Sequence, residues 1–320
     1  MVGDILCCHD DTRWWQGHHH PTGSLTEIVV GDAAVRDRGG GRGPWQAVVI
    51  TSVRMFYAYK CRLNFLEAAE ILVPAVEGTL NVLRSCKKNP SLRRVVLTSS
   101  TSAVRARDDF DPKIPLQDES SWSSVEFCER LQVTSLSSES MSHLILFVSK
   151  PFLAEKAAWE FCEENGIDLV TIVPSCVVGP GLPPDLCSTA SNTLALLKGM
   201  ERLNWNKQGR LRNADGLEGW NMFTSMMLHS ATSILVYEHE DAHGRYLCSS
   251  AELDDNELTS LLSARYPSLP IPKRSDALDI PYVEFNTSKL KSLGFKFKSI
   301  QDMFDDCIAS LVEEGHLGQV

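Results

Sequence analysis

The chain is short of positive charge. Its 320 residues carry 31 Lys and Arg against 41 Asp and Glu, a formal charge of -10 with a pI near 5.4. Nucleic-acid binders normally show a basic face, so that class of partner is not expected. Long hydrophobic runs are missing as well. No stretch approaches the ~20 apolar residues that span a bilayer, so no membrane partner is expected either. Met1–Thr12 has no basic lead and no long apolar core, which argues against a secretory signal. Cysteine is present ten times but without a framework, scattered from Cys7 to Cys307. That usage predicts reduced, mostly buried thiols in a cytoplasmic protein. Cys7, Cys8 and His9, with the run His18-His19-His20, lack the C-x-x-C spacing of a metal site, and no metal is expected.

A phosphate-binding glycine loop is also absent. Gly39-Gly40-Gly41 lie inside the basic, breaker-rich run Arg36–Arg42, with Gly43 just after it. A dinucleotide loop must follow a strand directly and open a helix, and this cluster does neither, so it reads as loop. Residues 1–64 follow no helical or strand period apart from two short strand-like runs, Glu27–Val30 and Gln46–Ile50.

What is there begins at Asn64. Phe65, Leu66, Ala68, Ala69, Ile71, Leu72, Ala75, Val76, Leu80, Val82 and Leu83 recur at helical spacing, with Pro74 expected to kink or restart the helix. Lys87-Lys88-Asn89-Pro90 should end it. Val95-Val96-Leu97 then reads as a buried parallel strand running into five hydroxyl residues, Thr98 to Ser102. Ligands of open α/β sheets bind outside the carboxyl ends of strands, so these hydroxyls stand where a ligand would sit. The same run would also serve as a turn that satisfies its own backbone. Val125–Gln132 suits a short helix, and Val133–His143 shows no period. Pro151 suits the first turn of a helix that Asn165-Gly166 closes. Ile167–Val173 is a second buried strand, ending at Pro174-Ser175. Further on, Leu194–Leu197, Ser233–Glu240, Glu257–Ala264 and Ile300–Glu313 read as helices and Arg245–Cys248 as a strand, while Leu203–Met227 is poorly patterned.

Three blocks carry a resemblance: Pro74–Leu83 (PAVEGTLNVL), Arg94–Ser100 (RVVLTSS), and Ser149-Lys150 with Leu153–Trp159 (LAEKAAW). In this order they resemble the extended short-chain dehydrogenase/reductases of plants, in the branch of cinnamoyl-CoA and dihydroflavonol reductases. Asp168–Pro184 and Leu290–Leu311 fit the same branch. The resemblance implies an α/β fold with a Rossmann-type doubly wound parallel sheet, its first βαβ portion degenerate here, and a smaller C-terminal substrate domain. It divides the chain into an atypical segment 1–64, a partial NADP-binding domain 65–178 and a mainly substrate-side domain 179–320. It implies NADP(H) as cofactor and a small-molecule substrate, and says nothing of oligomeric state. Ser100 matches the serine that bonds the substrate oxygen. Lys150 matches the lysine that lowers a tyrosine's pKa and holds the nicotinamide ribose. Thr98, Pro174 and Ser175 match strand ends beside the nicotinamide.

The proton-transferring tyrosine of that set belongs four residues before Lys150, where this chain has Leu146. No tyrosine stands between Ser100 and Lys150. Leucine neither gives nor takes a proton, and the glycine-rich loop is missing too. Two readings follow. One is a reductase of a phenylpropanoid-CoA thioester or related carbonyl, impaired at these two points. The other is an inactive relative or the product of a disrupted reading frame, suggested by the sharp edges of the foreign stretches Val133–Leu146 and Leu211–Leu228. The second is favoured for actual turnover, and saturable NADPH binding is expected to be lost.

Overall fold

A strand buried on both faces has no polar side to show water, and β3 (Leu92–Thr98) is one: Val95 and Val96 are 0% exposed and Leu97 is 2%. It lies in a five-stranded sheet with β1 (Glu27–Gly31), β2 (Gln46–Thr51), β5 (Leu169–Pro174) and β8 (Gly244–Cys248), in the order β1-β2-β3-β5-β8. β2, β3 and β5 are parallel, with Thr98 level with Ile172. β1 runs antiparallel to β2, so the described start of the sheet is not a parallel βαβ unit. The structure, a computed structural model, describes residues 27–31, 46–51, 68–105, 107, 116–124, 126–127, 139–180, 186, 188–199, 220–272, 284–318 and 320. The glycine cluster at 39–43, the Cys and His runs before residue 21, and 128–138 lie outside them.

The described residues gather into two compact units. The first takes those of Met1–Ala103, Leu146–Val173 and Thr232–Tyr246, and the second those of Val104–Ile145, Pro174–Ala231 and Leu247–Val320. In the first, α1 (Ala68–Cys86) and α3 (Glu139–Asn165) pack on one core. Val82, Leu83 and Cys86 of α1 meet Val95 and Leu97 of β3, Leu169 of β5, and Ala158 and Cys162 of α3. Arg94 fastens the amino end of β3. Its Nε donates to Asp168 at 2.8 Å and its Nη1 to the carbonyls of Val236 and His239 at 2.7 and 2.9 Å, at the end of α5 (Met226–Glu238).

Both prolines expected to interrupt or open helices lie inside them. α1 continues through Pro74. α3 begins at Glu139, well ahead of the first turn expected at Pro151, and runs on through that proline. A proline removes one helical donor and crowds the carbonyl four residues back. In each helix the turns after the proline pack on the shared core, through Val82, Leu83 and Cys86 of α1 and Ala158 and Cys162 of α3. The expected ending holds: Gly166 takes a left-handed φ of 64°, and the N–H of Ile167 bonds the Cys162 carbonyl at 3.0 Å.

The second unit has a three-stranded sheet of β6 (Cys176–Val178), β7 (Trp220–Ser225) and β9 (Ala251–Asp254), and a parallel pair of β4 (Leu116–Gln117) with β10 (Glu284–Phe285). Its core joins α4 (Ser188–Leu197), α6 (Asp255–Arg265) and α8 (Ile300–Glu313) through Leu197, Leu258, Leu262, Met303 and Phe304. α2 (Ser102–Arg105) and α7 (Ser288–Ser292) are single turns. The poorly patterned stretch Leu203–Met227 thus contains a strand, β7, and α5 starts at Met226, ahead of the expected Ser233. Gly199 ends α4 with φ 69°, where an added Cβ would lie 2.3 Å from the Pro270 carbonyl oxygen. Gly199→Ala therefore combines left-handed strain with overpacking against backbone, and should lower stability by about 1–3 kcal/mol. A lower urea midpoint with an unchanged slope would show it.

Candidate functional site

The hydroxyl run at the end of β3 divides its work. Ser99 continues the parallel ladder, its N–H bonding the Ile172 carbonyl at 2.8 Å. Its Oγ turns into the interior and donates to Glu155 Oε2 at 2.6 Å. Ser100 caps the turn that follows. Its Oγ accepts from the Ser102 N–H at 3.2 Å and lies 3.1 Å from the Ser102 Oγ, while the Ala103 N–H bonds its carbonyl at 2.8 Å. Ser100 thus satisfies a turn, as one of the two expected readings has it, and it is half-buried at a strand's carboxyl end. Thr98 is buried, and its Oγ1 has no hydrogen-bond partner among the described residues.

Lys150 lies in α3, in the same unit, and Leu146 one turn before it on the same helix. Their side chains lie outside the described residues. Pro174 ends β5, and Ser175 follows in the second unit. Its N–H bonds the Cys248 carbonyl at 3.1 Å and its Oγ lies 3.4 Å from the same oxygen, so this hydroxyl is committed to its own unit. Thr98 and Ser100 are brought together on one strand end, with Ser175 bonded elsewhere.

The sequence reading missed a buried, fully bonded charge of the first unit. Glu155 is 1% exposed and takes Arg245 as a fork: Arg245 Nε to Oε1 at 2.8 Å and Nη2 to Oε2 at 3.2 Å. A signal existed. Phe152, Glu155, Ala158 and Cys162 recur on one helical stripe, and all four are buried. A carboxylate on an apolar stripe requires a partner.

Elsewhere, burial pushes the Cys86 thiol up to about 11, and burial together with Cys86 pushes Cys162 to about 12. Neither Cys86 nor Cys162 is in a disulfide. Burial also lowers the Arg105 guanidinium to about 10. No group of three His, Cys, Asp or Glu among the described residues suits a metal, and no described helix is long and apolar enough to cross a membrane.

The strand end suits the sugar side of a dinucleotide, since an orphaned buried hydroxyl at Thr98 and the Ser100 turn offer polar groups there. No strand, glycine loop and helix in sequence offers a pyrophosphate cradle among the described residues.

No protein-family model matches the chain. It is 58% identical over 252 residues to tetraketide alpha-pyrone reductase 1 of Arabidopsis thaliana, covering 78% of this chain and 70% of that protein. Dihydroflavonol 4-reductases of several plants are 32–36% identical, and the chain spans 60–64% of their length. Among solved structures, vestitone reductase from alfalfa (Medicago sativa) superposes with a TM-score of 0.61 at 29% identity, over 78% of this chain and 74% of that one. Yeast methylglyoxal/isovaleraldehyde reductase Gre2, complexed with NADPH, shares the fold with a TM-score of 0.60 at 23% identity, over 79% and 75%.

Proposed function

From the premise that the chain belongs to the plant extended short-chain dehydrogenase/reductases, in the dihydroflavonol reductase-like branch, we propose that it is an NADP(H)-type carbonyl reductase with an impaired proton step. The observation that carries this reading is the hydroxyl-tipped end of β3, buried on both faces, with the Thr98 Oγ1 left without a partner. NADP(H), when bound, would supply the hydride. Thr98 and Lys150 are the residues proposed to hold its nicotinamide-ribose half. Ser100 would bond the substrate oxygen and stabilise the charge that grows on it.

Substrate class is proposed from the 58% identical relative: the ketone of a polyketide-derived pyrone. The CoA-thioester reading has less support. Leu144-Ile145-Leu146-Phe147 stands where the cinnamoyl-CoA branch usually carries a longer aromatic signature.

The absent glycine loop removes backbone donors and helix-dipole stabilisation from the pyrophosphate. Losing two hydrogen bonds to a charged group costs about 3–6 kcal/mol, so affinity should fall at least ~10²-fold below that of an intact relative. Calorimetric titration of the full chain with NADPH, carried to millimolar concentration, tests this. Weak saturable binding is expected here, in place of the complete loss expected from the sequence, because the Thr98 and Ser100 groups at the strand end are retained. No binding at all would remove the cofactor assignment. Incubation with a pyrone ketone, a dihydroflavonol and a hydroxycinnamoyl-CoA separately, with NADPH consumption followed, tests the substrate class. Slow consumption with the pyrone alone is expected, and consumption with only the thioester would overturn it.

A further inference from the structure

We infer that Ser99, Glu155 and Arg245 form a positioning clamp, which sets α3 against the carboxyl end of β3 and so aligns Ser100 with the helical turn carrying Lys150. The inference rests on the roles proposed above for those two residues. Three elements of one unit meet at the Glu155 carboxylate. The end of β3 donates through Ser99 Oγ at 2.6 Å, and the start of β8 donates through the Arg245 fork at 2.8 and 3.2 Å. Ser99, Glu155 and Arg245 are 4%, 1% and 6% exposed, so water competes for none of these bonds.

Placement ties the clamp to the proposed chemistry. Ser99 is the covalent neighbour of Ser100. Glu155 follows Lys150 by five residues, roughly 7.5 Å along the helix axis. A slide of α3 by one residue, roughly 1.5 Å, would break both the short hydroxyl bond and the planar fork. Misplacement on the order of 1 Å is enough to cost about 10²-fold in a reaction that depends on alignment.

Energetics point the same way. A buried ion pair is weak evidence for stability, because apolar residues of similar volume fill the space at lower desolvation cost. Its best-attested use is to fix register. Arg94 offers the contrast. It also ties β3 to neighbouring elements, but at the amino end of the strand, away from Ser100.

The test uses the full chain and four variants. Amide hydrogen exchange is read by mass spectrometry without cofactor, and NADPH affinity by calorimetry. Ser99→Ala and Glu155→Gln are expected to speed exchange at least tenfold in Ser100–Ala103 and in the turn of α3 around Lys150. Both should weaken NADPH at least fivefold. Ser99→Thr returns the hydroxyl and should restore both readouts. Arg94→Met should loosen the start of β3 and the end of α5, with the Ser100 turn and NADPH affinity within twofold of wild type. Exchange that rises evenly across the unit, or not at all, in Ser99→Ala and Glu155→Gln overturns the clamp. So does an effect of Arg94→Met on the Ser100 turn equal to theirs. If wild type binds no NADPH, the proposed function falls, and the exchange pattern alone decides the clamp.

Discussion

Arg245→Met should destabilise the protein by about 3–5 kcal/mol, a large share of the 5–15 kcal/mol that holds an ordinary domain folded. The reason lies in what remains behind. Glu155 keeps a carboxylate inside the first unit, with side-chain exposure of 0%, and Ser99 supplies one neutral hydrogen bond in place of an opposite charge. A fully buried, uncompensated charge is among the few causes of so large a loss. The contrasting variant is Glu155→Gln with Arg245→Met, which removes both charges and should recover much of the loss. Urea unfolding of the two variants beside wild type measures both effects. If the single and double variants are equally unstable, the fork is simply packed volume and its charge is immaterial.

The second large effect is chemical. With NADPH at saturation and a pyrone ketone as substrate, turnover is expected to lie ~10²–10⁴-fold below that of the 58% identical Arabidopsis reductase, the usual loss when a positioned proton donor is removed. A phenol of pKa about 10 is a poor acid at neutral pH until a nearby cation stabilises its anion. This chain keeps the lysine at position 150 and has leucine at 146. Leu146→Tyr alone is not expected to restore turnover, because no glycine-rich loop between a strand and a helix stands among the described residues either. Rates near those of the intact relative in that variant would show the cofactor site to be whole. Wild-type turnover at the relative's own rate would show that water or another group supplies the proton.

Parts of this architecture could be read from residue order, and parts could not. α8 occupies Ile300–Glu313, as its spacing predicts, because Ile300, Met303, Phe304, Ile308 and Leu311 form an uninterrupted stripe and Ser299 caps it, accepting from the Asp302 N–H at 3.1 Å. β3 and β5 were legible because a central parallel strand must be apolar on both faces. β7 and β9 were not. Trp220–Ser225 and Ala251–Asp254 are short and mix polar with apolar residues, so their pairing decides their conformation. Pro74 and Pro151 misled for a related reason: a local preference for breaking a helix lost to helices whose later turns pack on a shared core. The hydroxyl run could be placed at the end of its strand, but the partner of Ser99 could not be read. Glu155 and Arg245 stand 90 residues apart, and nothing local announces that they meet.

The protected thiols give the two units separate clocks. Cys86 and Cys162 sit in the core of the first unit and Cys307 in that of the second. With Cys86 and Cys162 held near 11 and 12, almost no thiolate is present there at neutral pH, and only thiolate attacks an alkylating reagent. Iodoacetamide labelling at these positions therefore counts openings of the surrounding structure. Mass tags read position by position would reveal whether one half of the molecule breathes before the other.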